Sequence, residues 1–395
     1  AMAVPPTRRR VLVVGGGIAG SAAAWWLHHT GCEVVLVDAA HASHTGGFVL
    51  DVDTSAQRIL RAMGAEHVVE GTSFPSPATS FRFLGGPHPG QLTLSSGGSR
   101  LAHRGQLTEA LLKHVPDDVD LRLGVRLISL EHRPDDVLAR FEDGSVEPFD
   151  IIVGADGVNS TVRGLVLAPH ETAVYRNGLS HVWLTVDRCM PGTGAVAIGR
   201  HRTIVFAYPF PDSPRTQIIA VLPAPGRVFD HRPLVQQVAK ALRTMGGELA
   251  SIADGVLQAD DVLLTRFGQV RTARWSTRRV VLIGDAAHCI DPLSGLGAHG
   301  ALLGATTLAT ALQRHGADTA RAFAEYEQRI RPFVEASQRV TSRAAELVTG
   351  AAACDRLATL LGAAGDLART LPKVALPSGR RAVLGLPGVP GARPA

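Results

Sequence analysis

The chain has 395 residues, 45% hydrophobic and 19% charged, a composition that suits a soluble globular protein with core enough for two or three domains. Its formal net charge of +5 is carried by dispersed residues, nearly all arginine (Lys113, Lys240 and Lys373 are the lysines), with no aromatic-interleaved basic face, so nucleic acid is not an expected partner. The four cysteines, Cys32, Cys189, Cys289 and Cys354, lie far apart and no apolar run is long enough to span a bilayer, which excludes a disulfide framework, a zinc site and a membrane partner from the expectation and points to the cytoplasm.

The first element is the apolar run Val11–Val14, read as a strand, followed by Gly15-Gly16-Gly17-Ile18-Ala19-Gly20. A helix over Ser21–Thr30 and a second strand over Glu33–Asp38 complete a βαβ unit, with Asp38 eighteen positions after Gly20. In that pattern Gly15 permits a tight turn, Gly17 lets a pyrophosphate approach the backbone, and Gly20 lets the helix pack on the sheet. The helix N-terminus, reached through Ile18 and Ala19, offers its N–H groups to the pyrophosphate, and Asp38 is placed to accept hydrogen bonds from an adenosine ribose. A dinucleotide is the expected ligand.

A long glycine-containing loop is expected from His41 to Asp53, including Gly46-Gly47-Phe-Val-Leu-Asp51, then a helix over Ser55–Met63. Phe74–Arg100 reads as strands and turns, Arg104–His114 as helix, and Asp120–Leu130, Val137–Glu142 and Phe149–Val153 as strands. Between about 173 and 270 the runs His181–Val186, Ala195–Ile198, Thr203–Tyr208 and Thr216–Leu222 suggest an antiparallel sheet inserted into the first domain, with a hairpin turn at Gly199–Arg202 and one helix, Leu234–Met245. On a strand Thr203–Tyr208, Ile204, Phe206 and Tyr208 share one face, and with Trp183 they offer aromatic surface for a substrate or, equally, domain core. The strand Arg279–Gly284 returns to the first sheet, the helices Ala298–Arg314 and Thr319–Leu347 follow, and the tail from Leu371 is rich in Pro and Gly.

Two further motifs sit on this frame. Asp150-Ile-Ile-Val-Gly154-Ala155-Asp156-Gly157 ends a buried strand, with Ser160 able to cap the helix that starts at Thr161; Asp156 and Arg163 could pair across the turn. Gly284-Asp285-Ala286-Ala287-His288 places Asp285 at a strand's carboxyl end, where a carboxylate can bond a polyol. The loop Pro292–Gly297 then opens a long helix whose N-terminus favours an anion, while His288 reads more simply as a satisfied turn histidine. No nucleophile elbow, HExxH or spaced His/Cys cluster is present, so neither a catalytic side chain nor a metal is expected.

Taken in order, these motifs resemble the single-component flavoprotein monooxygenases of the para-hydroxybenzoate hydroxylase type, over residues 10 to about 345. The Gly46–Asp51 loop looks most like the compact branch that includes tetracycline-inactivating monooxygenases. The resemblance implies a Rossmann-like α/β FAD-binding domain with an inserted antiparallel β substrate domain and C-terminal helices. It divides the chain into residues 1–75, 100–172 and 272–345 for FAD, 76–99 and 173–271 for substrate, and a C-terminal helical segment and tail, 346–395. It implies FAD held by Gly15, Gly17, Ile18, Ala19, Gly20, Asp38, Arg104, Asp156, Asp285, Pro292, Gly295, Leu296 and Gly297, with Trp183, Phe206 and Tyr208 toward substrate. Two positions depart from the family's pattern: His299 stands where Asn is usual, and Gly304 where Asp is common.

By the same resemblance, NADPH or NADH reduces the flavin, oxygen adds to give a C4a-hydroperoxide, and an aromatic or polyketide-like small molecule is hydroxylated by a monomer or weak homodimer, in bacterial secondary metabolism or antibiotic modification. No second nucleotide fingerprint follows the first, which suits a family whose nicotinamide has no domain of its own. A halogenase is disfavoured by the lack of Trp-x-Trp-x-Ile and of a lysine just after the first βαβ unit. A Baeyer–Villiger or epoxidising enzyme, a prenyl-reductase-like flavoprotein and a flavin-bound sequestering protein remain as alternatives.

Overall fold

Val11 to Val14 are buried on both faces, as their unbroken apolar run requires of a central parallel strand. The strand Arg10–Val14 lies between Glu33–Asp38 and Ile151–Gly154, with Val11 opposite Val34 on one side and Ile151 on the other. The full six-stranded sheet runs Ser276–Thr277, Val280–Leu282, Ile151–Gly154, Arg10–Val14, Glu33–Asp38, Asp120–Leu123, parallel except for the short first strand. The strand order therefore reverses around Arg10–Val14, and the carboxyl ends beside that point carry all three motifs. The molecule is known as a computed structural model describing residues 8–42, 48–84, 90–192, 194–200, 202–223 and 231–349. Gly46 and Gly47 of the expected loop, and the tail from Leu371, lie outside the described residues.

Helix Ile18–His29 covers one face of this sheet, and its Ala22, Ala23 and Ala24, all fully buried, let it pack closely on helix Gly297–His315. Trp25, Trp26 and Leu27 are core. From Ala298 to Leu312 every residue of Gly297–His315 is buried, so that helix is covered all round. Helix Thr319–Thr349 packs against it, and the Tyr326 hydroxyl donates to the Leu282 carbonyl at 2.9 Å.

A seven-stranded sheet forms the second layer, in the order Val262–Arg266, Leu179–Val186, Thr216–Pro223, Thr203–Pro209, Ala195–Arg200, Thr79–Phe83, Gly90–Leu94. It is antiparallel except where Ala195–Arg200 meets Thr79–Phe83. The expected hairpin turn falls between Arg200 and Thr203, with Arg202 at φ 63°. One face, bearing Val182, Leu184, Val205, Ala207, Ile218 and Ala220, packs on helices Arg232–Met245 and Gly247–Val256.

Three expectations need correction. The sequence pattern predicts a single helix in this β-rich stretch, whereas a second, Gly247–Val256, follows the first. Gly246 at φ 76° ends the first and starts the second, a break the glycine pair Gly246-Gly247 signals. The expected loop His41–Asp53 contains a strand, Val49–Val52, paired antiparallel with Arg100–His103. The expected strand Asp120–Leu130 is two strands, Asp120–Leu123 and Leu127–His132, in different sheets. Gly124, at φ 71°, turns the chain between them.

Candidate active site

The glycine loop is shaped by contact and by a gap. A Cβ on Gly15 (φ 108°) would fall 2.3 Å from the Ala155 carbonyl oxygen, and one on Gly20 would fall 1.7 Å from that of Gly15. At Gly17 the backbone is extended and nothing lies within 4 Å of where its Cβ would be. The protein itself therefore gives no steric reason for glycine there, and the space beside this backbone is open to a ligand. No side chain caps helix Ile18–His29 and its first turn holds no acid, so Ile18 and Ala19 open a helix N-terminus suited to an anion. Asp38 accepts from the Gly16 N–H at 2.6 Å and the Ala40 N–H at 2.8 Å, so it braces the glycine loop, a role its spacing alone did not indicate.

The second motif caps its own helix. Asp156 accepts from the Ser160 hydroxyl and from the Val162 N–H, and Ser160 accepts from the Arg163 N–H at 3.0 Å. Arg163 is buried and does not pair with Asp156. Its guanidinium donates to the Ala286 carbonyl at 2.9 Å and the Val158 carbonyl at 2.6 Å, clamping the second motif to the third.

Asp285 follows Gly284, whose Cβ would lie 2.8 Å from that of Ala19, so the third motif abuts the first helix. The Asp285 side chain is exposed, yet the surrounding protein raises its pKa, with the Arg104 charge opposing. His288 is buried, pushed down to about 4 by that burial, with its Nε2 3.5 Å from the Tyr326 hydroxyl. It is a neutral structural histidine, as the simpler sequence reading had it.

Beyond Pro292, the helix Gly297–His315 also begins without a side-chain cap or first-turn acid, while the Gly295 and Leu296 N–H groups are taken up within the loop by the Pro292 carbonyl at 3.1 Å and the Ser294 hydroxyl at 3.0 Å. His299 turns to Asp53, with Nδ1 2.5 Å from Oδ2, and stacks on Phe333 at 5.1 Å between ring centroids. Although burial opposes it, the His299 hydrogen bond and charge hold Asp53 below the usual carboxylate range. Asp53 also caps helix Thr54–Ala62 through the Ala56 N–H at 2.7 Å. A Cβ on Gly304 would meet only ordinary contacts, 3.6 Å from His288 Nε2 and 3.8 Å from the Tyr326 hydroxyl.

Asp51 was not among the expected site residues. Its Oδ2 lies 2.9 Å from where a Gly295 Cβ would be; burial, and secondarily the Asp53 charge, raises its pKa from 3.8 to about 6. Tyr208, on the inserted sheet, feels the same carboxylate: burial and then Asp51 push its phenol up. Trp183, Ile219, Phe206 and Ala197 are cross-strand partners, and their face is opposite the one covered by the two helices. It meets the first layer, where Leu293 packs beside Ile204, Val221 and Phe206. Trp183 itself is nearly covered; its indole donates to Thr265 at 2.9 Å and its ring sits 4.5 Å from that of Phe48. Phe48 lies under the Arg104 guanidinium and its carbonyl accepts from the Arg104 N–H at 3.0 Å. Phe206 and Tyr208 are half-buried, with rings parallel at 6.5 Å.

A doubly layered α/β molecule with an open dinucleotide edge facing an aromatic sheet defines a flavoprotein oxidoreductase. The chain matches the FAD binding domain family over residues 8–341 and belongs to it. It is a flavin-dependent monooxygenase of the para-hydroxybenzoate hydroxylase type. A flavin-dependent monooxygenase of Legionella longbeachae is 28% identical over 338 residues, covering 79% of this chain and 82% of the relative. The fold is shared with the tetracycline destructase Tet(51) (TM-score 0.73, 22% identity, 94% of this chain and 100% of that one). It is also shared with Klebsiella pneumoniae HpxO, solved with FAD and uric acid (TM-score 0.73, 21% identity, 91% and 93%).

The glycine geometry separates folding from binding. Gly20→Ala is expected to destabilise the fold by at least about 3 kcal/mol through backbone overlap. Gly17→Ala should cost about 1 kcal/mol or less in thermal unfolding while abolishing retention of FAD on gel filtration; equal FAD retention by Gly17→Ala and wild type would remove the pyrophosphate from this loop. A second expectation concerns Asp51. Because its folded pKa lies above 3.8, at about 6, its favourable protonated state is fully present below pH 4 and is lost as pH rises through 6. The melting temperature of Asp51→Asn, measured without FAD, should therefore gain on that of wild type between pH 4 and 6; a pH-independent difference would contradict this.

Proposed function

We propose that the protein hydroxylates an aromatic or polyketide-like small molecule, using FAD with NADPH or NADH, in secondary metabolism or antibiotic modification. The observation that carries this reading is the inserted sheet's second face: Phe206 and Tyr208 are half-buried toward the flavin layer, while the domain's own core lies on the opposite face. An apolar, aromatic wall suits a planar substrate and keeps water from the reacting atoms. In this proposal residues 76–99 and 173–271 form the substrate unit, and the other strands and helices form the FAD unit.

The residues available fit FAD. Its pyrophosphate would rest on Gly15, Gly17 and the helix start at Ile18, Ala19 and Gly20, its adenosine ribose at Asp38, and its ribitol at Asp285 with Arg104 and Asp156 nearby. The backbone of Gly295, Leu296 and Gly297, after Pro292, would receive the flavin's electron-rich edge. Bound FAD supplies the redox chemistry and the activation of oxygen. The chain's own groups bind and orient: Asp285 holds a hydroxyl-rich tail, the uncapped helix Gly297–His315 favours negative charge, and Trp183 fixes Phe48 beneath Arg104.

The reading is tested by NADPH and NADH oxidation with oxygen uptake against tetracyclines, uric acid and phenols, with mass spectrometry of the products. One substrate gaining a single oxygen is expected; insertion of oxygen into a carbon–carbon bond would mark a Baeyer–Villiger enzyme instead. Asp285→Ala should weaken FAD by about 1–3 kcal/mol or divert NADPH oxidation to hydrogen peroxide, whereas EDTA should change nothing. Full FAD occupancy and full coupling in Asp285→Ala would refute the placement of FAD at this residue.

A further inference from the structure

His181 and Asp291 form a buried pair that joins the two layers. The imidazole Nε2 stands 3.0 Å from Asp291 Oδ1 and 3.2 Å from Oδ2, and the two side chains are 1% and 0% exposed. His181 belongs to strand Leu179–Val186, two residues before Trp183 and on the same face. Asp291 immediately precedes Pro292 and has φ 92°, the one buried residue among the described non-glycine residues with positive φ; Arg202 and Arg278 are exposed. A side chain in that region is strained and persists only where its surroundings hold it.

The surroundings of Asp291 are specific. Besides His181, Oδ2 accepts from the Gly268 N–H at 2.8 Å, and Oδ1 accepts from the Leu293 N–H at 2.9 Å. The Asp291 carbonyl accepts from the Ser294 N–H at 3.0 Å, and Ser294 in turn accepts from the Leu296 N–H at 3.0 Å. One carboxylate therefore ties the substrate-side strand, the chain returning from the inserted sheet, and the first turn of the loop that leads to Gly295-Leu296-Gly297. Removing the imidazole would leave a buried, strained carboxylate short of one partner.

We infer that His181 and Asp291 are positioning residues that set the Pro292–Gly297 loop for the flavin, so that the seating of the substrate sheet fixes the affinity and potential of FAD in the other layer. The inference rests on the flavin placement proposed above.

The test uses FAD titration of the apoprotein, the midpoint potential of bound FAD, and thermal unfolding. The double variant His181→Leu/Asp291→Gly removes both polar partners and relieves the positive φ, so no charge is stranded. It is expected to fold, to bind FAD more weakly by about 5- to 150-fold, the usual range for coupled sites, and to show a shifted potential. His181→Gln, whose amide nitrogen reaches the position of Nε2, should restore both. Unchanged FAD affinity and potential in the double variant would overturn the inference whatever its melting temperature. If the double variant does not fold, His181→Gln is compared with the shorter His181→Asn: tight binding by Gln and weak binding by Asn supports the pair's role. Equal binding by the two, or failure of Asn to fold, assigns the pair to stability alone. Asp285→Asn, which makes none of the pair's hydrogen bonds, is the control for flavin placement; wild-type FAD affinity there would refute the placement and not the pair.

Discussion

Close backbone approach at the carboxyl edge of the six-stranded sheet is the constraint on which the molecule depends. Gly15 touches the Ala155 carbonyl, Gly284 touches Ala19, and neither position has room for a methyl group. Parallel pairing carries the strands up to that edge, with the Ala155 N–H on the Val14 carbonyl at 2.8 Å and the Ile283 N–H on the Gly154 carbonyl at 2.9 Å. Arg163 then crosses from the second strand end to the third. What remains open along the edge is two uncapped helix starts, at Ile18 and Gly297. Fixed dipoles of this kind bind a polyanionic dinucleotide without reorganising when it arrives.

The second layer is oriented by its two faces. Because alternate residues of each strand point oppositely, the helices Arg232–Met245 and Gly247–Val256 can cover only one set of side chains. The other set, from His181 through Trp183 and Phe206 to Tyr208, must meet the flavin layer or water. It meets the flavin layer through contacts of different kinds: a buried polar pair at Asp291, an aromatic contact at Phe48, and apolar packing at Leu293. Polar pairs specify a unique seating where apolar contact alone would tolerate sliding.

How much of this was legible in the sequence follows from the range of each interaction. The glycine fingerprint, the Ser160 cap and Asp285 at its strand end are local, fixed within a few residues by turn geometry, and the chain spells them out. Phe206 and Tyr208 follow from period-two alternation. His181 with Asp291 and Asp53 with His299 are 110 and 246 residues apart, and no local pattern announces them. His299 was visible only as a departure from the family's asparagine, and its partner came from a segment expected to be loop. The sequence allows Arg163 to pair with Asp156 across the turn, but its guanidinium instead reaches the Ala286 carbonyl in the short helix Asp285–His288, a contact 123 residues away that no local pattern announces.

The acids at the cleft show why position outweighs residue type. Asp51 and Asp53 are two residues apart at the end of one strand, yet their pKa values move in opposite directions. Asp53 caps a helix and meets His299, so its charge is answered. Among the described residues the Asp51 carboxyl has no hydrogen-bond partner; it faces Gly295 and Tyr208 and adds its charge to that of Asp53. An anion drawn to the helix start at Gly297 would stand near Asp51 as well, and like charges at that separation favour protonation of the weaker-held acid. The helix start that attracts negative charge and the carboxyl whose proton such a charge would hold thus lie side by side. Ligand charge and the protonation of Asp51 are linked for that reason, a neighbouring anion raising the carboxyl further above its value of about 6.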